Sequence, residues 1–297
     1  MRLLSTFAVL LFLQFLALSA SLHAQLVQEF NPPKAGCCLA PRAGQLASEL
    51  QDWNQLGRYH LDDLRLEAEP RVPGRVVFLG DSITDIWNLK KFFPGKPYVN
   101  RGISGQTTPQ MLVRMFPDVI DLQPAAVILL AGTNDIARNT GPETAKMIAE
   151  NYEAITELAQ VHNIKVILCS LTPVSAYTAN PQTENRPPSQ ILELNAWIKS
   201  YAARAHATFA DYYSALVDSK GMLRNGYSND GLHPNDRGFA LLAPVAEAAI
   251  EKALHEKPRS GRKCQSSQKS GTTPSTPSPA RSHRLSMPVF RSEKNRA

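Results

Sequence analysis

The sequence predicts an α/β protein built on a five-stranded, doubly wound parallel sheet with helices on both faces. Three observations lead there. Short apolar runs rich in β-branched residues recur along the chain, at Arg75–Leu79, Tyr98–Ile103, Ala125–Ala131, Lys165–Leu171 and Thr208–Tyr212. Stretches of helical period follow them, near Thr84–Phe93, Thr108–Leu122, Pro142–Val161, Ser189–Ala207 and Asp236–His255. Strands that alternate with helices of this length make βαβ units, and continuous apolar runs suit strands buried on both faces. Finally, polar or glycine-bearing segments follow the strands, where open α/β sheets place their binding crevice.

Ahead of the first strand, Gln45–Glu69 reads as an amphipathic helix packed on the domain. Pro109 and Pro142 stand where a first helical residue needs no N–H, so each is expected to open a helix. Trp87, Trp197 and the other aromatics occur at spacings expected of core packing. The segment Thr172–Gln190 carries Pro173, Pro181, Pro187 and Pro188 and is too polar for core. It follows the fourth strand at the active end, so it either borders a pocket or forms an inert surface loop.

The ends are not domain material. Residues 1–24 read as a signal peptide: Arg2 supplies the positive start, Leu3–Leu18 the apolar stretch, and small residues allow cleavage after Ser21 or Ala24. That stretch is short for a bilayer span, which needs about 20 residues; an uncleaved N-terminal anchor is the alternative. The expectation is a secreted or periplasmic protein, with residues 25–44 a linker and 45–255 the folded domain. The tail, 256–297, holds ten Lys or Arg against two Glu, a net charge of +8. The whole chain of 297 residues carries +6, so residues 1–255 come to −2. Charge therefore argues against nucleic-acid binding by the domain. Rich in Ser and Pro, the tail cannot bury enough apolar surface to order itself. Membrane contact is left to the N-terminal segment or the basic tail.

The four cysteines show no CxxC pair and no histidine spacing of a zinc site. Cys169 sits in an apolar run and reads as a buried strand residue. Cys37 or Cys38 could pair with Cys264 in an oxidising compartment. Neither metal nor cofactor is expected.

Candidate chemistry lies after the strands. Gly80-Asp81-Ser82-Ile83-Thr84-Asp85 follows the first, Asn100-Arg101-Gly102-Ile103-Ser104-Gly105 the second, and Gly132-Thr133-Asn134-Asp135 the third. Asp230-Gly231-Leu232-His233-Pro234 precedes the last helix. A serine hydroxyl is a weak nucleophile unless a base takes its proton. His233 can be that base, and Asp230 can hold the imidazole in the productive tautomer for Ser82. The Ser82 N–H, the Gly105 N–H and the Asn134 side-chain amide are candidate donors to an oxyanion. Each signal has a plainer alternative. Ser82-x-x-Asp85 is also a capping box, Asn134 a turn residue, and Asp230-x-x-His233 a surface loop or half a metal site. Asp81 and Asp135 read as loop anchors, and Arg101 as one half of a structural ion pair rather than a substrate contact.

Taken together, these residues resemble the SGNH (GDSL-like) hydrolase family. Its serine, glycine, asparagine and histidine occur in the same order and contexts at Ser82, Gly105, Asn134 and His233, and Asp230 matches its Asp-x-x-His element. The stretch from GDSITDIW through YVNRGISGQTT to LLAGTND looks like the branch containing platelet-activating-factor acetylhydrolase-like and carbohydrate-acetyl esterases. The resemblance implies a flavodoxin-like αβα sandwich and a serine esterase acting on small acyl groups, chiefly acetyl, on carbohydrate or lipid alcohols. A lysophospholipase or thioesterase on longer chains, or a non-catalytic carbohydrate-binding protein on the same fold, are the alternatives. The Gly-x-Ser-x-Gly elbow of α/β-hydrolases is absent around Ser82.

Overall fold

The computed structural model describes residues 50–255, so the expected signal peptide, linker and tail, together with Cys37, Cys38 and Cys264, lie outside the described residues. Five parallel strands, β1 (Val76–Gly80), β2 (Tyr98–Gly102), β3 (Ala126–Leu130), β4 (Lys165–Cys169) and β5 (Thr208–Ala210), form one sheet in the order β2-β1-β3-β4-β5. This is the flavodoxin-like order, and its topological switch point lies between β1 and β3. Val76 pairs with Tyr98 on one side and with Ala126 on the other. Every residue of β1 and β3 is buried, as unbroken apolar runs between two helical layers require. Cys169 is buried in β4 with its thiol free, and burial pushes the thiol up to about 12, far from reactive.

Helices α1 (His60–Ala68), α2 (Ser82–Asp85), α3 (Leu89–Phe92), α4 (Thr108–Val113), α5 (Thr133–Ile136), α6 (Ala145–Val161), α7 (Pro188–Arg204), α8 (Tyr212–Leu216) and α9 (Asp236–His255) complete the sandwich. The long helices α6, α7 and α9 fall close to their expected positions. Shorter elements depart from expectation for local reasons.

The expected helix over Gln45–Glu69 is not continuous. The Asp52 carboxylate accepts from the N–H groups of Leu56 and Gly57 at 2.7 and 2.8 Å, a local turn that competes with the helix ladder. Of the leucines of α1 only Leu66 packs against the core: Leu61 and Leu64 are exposed, and Asp63 is buried. Asp63 accepts from Arg101 Nη2 at 2.6 Å and Asp62 from the same nitrogen at 2.8 Å, while the Arg101 guanidinium lies 4.6 Å from the centre of the Tyr59 ring. Arg101 is thus the expected structural ion pair.

The helix expected over Thr84–Phe93 divides into α2 and α3. Trp87, between them, turns into an aromatic cluster, stacked at 5.0 Å on Phe239 and edge-on to Phe78 at 5.8 Å. Asn88 then caps α3 by accepting from Lys91 N–H. In Thr108–Leu122 the α-helix stops at Val113 and gives way to a π turn, Phe116–Ile120. Pro117 has no N–H to return to the preceding turn, which accounts for the break. Pro142 does not open α6; Thr144 does, its hydroxyl accepting from Met147 N–H at 3.2 Å. At β5 the strand ends at Ala210, because Asp211 caps α8 through Ser214 N–H.

Candidate active site

Ser82, Gly105, Asn134, Asp230 and His233 all line one cleft of about 700 Å³. β1 delivers Ser82, and the Asp81 carboxylate, not the Ser82 hydroxyl, caps α2 by accepting from Ile83 N–H at 2.9 Å. Asp85, the other half of the expected capping box, instead accepts from Ser104 N–H and from Arg58. The Ser82 hydroxyl is therefore not needed to start the helix. It lies 2.8 Å from His233 Nε2, and His233 Nδ1 lies 2.5 Å from Asp230 Oδ2. Asp230 Oδ1 accepts from the N–H groups of Leu232 and His233 at 3.0 and 2.8 Å. Burial raises the Asp230 carboxyl, but the bonds from the His233 ring, His233 N–H and Leu232 N–H outweigh it and hold the group well below the ordinary aspartate range. An anion in that place keeps a proton on Nδ1 and leaves Nε2 to accept from the serine hydroxyl.

The loop carrying Asp230 and His233 is propped by the proline-rich segment after β4. Ser175 N–H donates to Gly231 O at 2.8 Å, and the Thr178 hydroxyl to Asp230 O at 3.2 Å. Gly231 has φ +82°, and a Cβ there would come within 2.9 Å of Ser175 O, so both backbone and space demand glycine. Of the two sequence expectations for 172–190, the one that places it beside the pocket holds.

On the opposite wall, no protein acceptor among the described residues takes up the Ser82 or Gly105 N–H. Gly105 adopts φ +84°, which aligns the turn after β2, and among the described residues only Asn139 approaches the position a Cβ would take. Asn134 is buried, with Nδ2 donating to Gln106 O at 3.1 Å. Two contributors were not singled out in the sequence. Arg186 reaches from the segment before α7 into the cleft and donates to Asn134 Oδ1 at 3.2 Å. Arg114 is fully buried and bridges Gly80 O, Gln106 Oε1 and Asp118 Oδ2 at 3.0, 2.6 and 2.6 Å, fastening the end of β1 to the turn after β2. Neither arginine lies in a motif; each has a local partner four residues away, Asp118 for Arg114 and Gln182 for Arg186, but the contacts that bear on the cleft, to Gly80 and Gln106 and to Asn134, come only with the tertiary fold.

Asp135 anchors as expected, accepting from Thr108 N–H at 2.9 Å and from the Thr108 hydroxyl at 2.5 Å. Its second oxygen and Glu143 Oε2 are buried with no donor among the described residues, and the two carboxyl groups are neighbours. Such a pair is satisfied only when one group keeps its proton. Burial raises both carboxyls, but the two Thr108 bonds favour the ionised form at Asp135, so the proton stays on Glu143, which burial and then the Asp135 charge push up to about 8. The native state thereby holds a proton that the unfolded chain releases near 4.5. Stability from this pair is greatest below 4.5, declines as pH rises, and levels off above about 8. Glu143→Gln, neutral at all pH and able to donate to Asp135, is expected to flatten the decline in Tm between pH 5 and 8. Thermal melts across that window check it; parallel profiles for the two proteins would contradict it.

Fold and cleft define a class: an αβα sandwich that sets hydroxyl, imidazole and carboxylate in hydrogen-bonded series at the carboxyl edge of its sheet, an arrangement suited to acyl transfer. Residues 78–241 match the model of the GDSL-like lipase/acylhydrolase family. The chain belongs to this family and is by class an ester hydrolase. A Bacteroides fragilis protein proposed to be an acylhydrolase superposes with a TM-score of 0.63 at 40% identity, covering 68% of this chain and 98% of that one. A GDSL-like lipase from Bacteroides thetaiotaomicron does so with a TM-score of 0.62 at 38% identity, covering 68% and 99%. Lipoprotein YqeF of Bacillus subtilis is 37% identical over 79 residues, 26% of this chain, and the match spans only 32% of that lipoprotein's length. Among the described residues no helix is long and apolar enough to cross a membrane, and no group of three or more His, Cys, Asp or Glu could hold a metal ion.

Proposed function

We propose that the protein is an exported serine esterase that removes short acyl groups, chiefly acetyl, from a carbohydrate or lipid alcohol through an acyl-enzyme. The observation that carries this reading is the unbroken Ser82–His233–Asp230 chain facing the Asn134 amide and the Ser82 and Gly105 N–H groups, which have no acceptor among the described residues, across one cleft. In the first half-reaction Ser82 Oγ attacks the ester carbonyl carbon as its proton passes to His233 Nε2. Negative charge gathers on the carbonyl oxygen, where the Ser82 and Gly105 N–H groups and Asn134 Nδ2 are the proposed donors. The tetrahedral intermediate then collapses. The bond to the alcohol oxygen breaks, His233 returns its proton to that oxygen, and the acyl group remains on Ser82. Water, deprotonated by His233, repeats the attack and releases the acid.

A small acyl group is favoured by the lining. Apolar side chains are few, chiefly Ile86, Leu232, Pro234 and Phe239, and Ile86 is half exposed. Each methylene buried in a true acyl groove contributes about 0.8 kcal/mol, and this cleft has little apolar wall to offer a long chain. We expect kcat/KM for p-nitrophenyl esters to be highest at acetyl or butyryl and to fall beyond about six carbons, with acetate release from acetylated xylan or pectin. A maximum at octanoate or longer would favour the lysophospholipase alternative. Asn134→Ala is expected to lower kcat by about 10²–10³-fold with KM little changed; a rise in KM at constant kcat would make Asn134 a substrate-binding residue instead. EDTA is expected to leave the rate unchanged. Export is supported by the signal-peptide pattern of residues 1–24.

A further inference from the structure

We propose that Arg186 is a positioning residue for the reaction, acting through Asn134: it fixes the orientation of the Asn134 amide and strengthens its remaining N–H as a donor to the oxyanion. The inference rests on the oxyanion role proposed for Asn134.

An asparagine amide can face either way, and the wrong orientation would turn oxygen lone pairs toward a developing anion. Here the surroundings allow one orientation only. A guanidinium has donors and no acceptor, so the atom at 3.2 Å from Arg186 Nη2 must be the amide oxygen. A carbonyl only accepts, so the atom 3.1 Å from Gln106 O must be Nδ2. One Nδ2 hydrogen is thereby taken up, and the other remains for the cleft that Asn134 shares with Ser82 and Gly105.

Arg186 is itself held for this task. It is 8% exposed, its Nη1 donates to Gln182 Oε1 at 3.0 Å, and its backbone N–H donates to Gln182 O at 3.0 Å. Its hydrogen bonds go to two neutral amide oxygens, while Nε is buried without a partner among the described residues. A cation bonded to the amide oxygen draws electron density from the nitrogen and makes its free N–H a stronger donor. The effect grows with charge on the substrate oxygen, so it favours the transition state over the bound ester.

The test is a double-mutant cycle on p-nitrophenyl acetate hydrolysis by the full chain, with Arg186→Met, Asn134→Ala and the pair. Arg186→Met is expected to lower kcat about tenfold with KM nearly constant, less than loss of the donor itself. In the Asn134→Ala background it is expected to cost nothing further. Arg186→Lys, which keeps the charge without the planar fork, should recover part of the rate, and it serves as the single variant in the cycle if the methionine protein does not fold. An equal loss in both backgrounds, a change confined to KM, or no change in kcat would overturn the proposal. Should Asn134→Ala itself leave kcat untouched, the oxyanion reading of Asn134 fails first, and the proposal falls with it.

Discussion

Replacing Ser82 with alanine is expected to lower ester hydrolysis by at least about 10⁴-fold, leaving only what binding and the oxyanion donors contribute without a nucleophile. Tm is expected to change little. The helix after β1 is capped by Asp81, whose bond to Ile83 N–H the substitution does not touch. Among the described residues the hydroxyl gives up only its contact with His233 Nε2. Activity and stability separate cleanly at this position, which they could not if Ser82 were the cap. The comparison needs kcat/KM per folded molecule and a thermal melt of the same sample. Retained turnover would place the nucleophile elsewhere; a large fall in Tm would give the serine a structural part.

The second large effect is expected at the base and its partner, and the two substitutions should not be equal. His233→Ala removes the group proposed to take and return the proton, and should approach the loss expected at Ser82. Asp230→Asn keeps the shape of the loop but reverses the hydrogen-bond logic. The asparagine can still accept from the Leu232 and His233 N–H groups through one atom. Its amide nitrogen, in the place of Oδ2, would then donate to Nδ1 and drive the ring proton to Nε2, where the Ser82 hydroxyl needs an acceptor. A loss of about 10⁴-fold in kcat is the scale for such a tautomer error, milder than loss of the imidazole. Rates for both variants on p-nitrophenyl acetate check the ranking. An Asp230→Asn protein as active as the parent, or less active than His233→Ala, would contradict it.

The large features of the fold were legible because they follow from period and burial. β1 and β3 are unbroken apolar runs, and α6, α7 and α9 are long enough for the helical period to declare itself. The five site candidates were legible because each follows a strand or precedes a helix at one edge of the sheet, and the structure gathers all five in one cleft. What escaped was decided by single side chains or by partners distant in sequence. Asp52 turns the chain before α1, Pro117 ends α4, and Asp211 shortens β5. The docking of α1 through Asp62 and Asp63 could not be read from a pattern of apolar residues, because beside Leu66 it is ion pairs with Arg101 that hold the helix. Arg186 stands in a segment with no periodicity, and its partner Asn134 is 52 residues away. Asp81 shows how a correct motif can hide the wrong atom: the helix start was recognisable, but the cap lies one residue earlier, and that shift frees the serine.

Peptide mapping after reaction with a fluorophosphonate shows whether Ser82 is a nucleophile activated by His233. One phosphonyl group per molecule is expected on the Ser82 peptide, with hydrolytic activity lost in proportion to labelling and no labelling of Ser82→Ala or His233→Ala. Labelling at another residue, or continued hydrolysis of p-nitrophenyl acetate by a fully labelled protein, would contradict it.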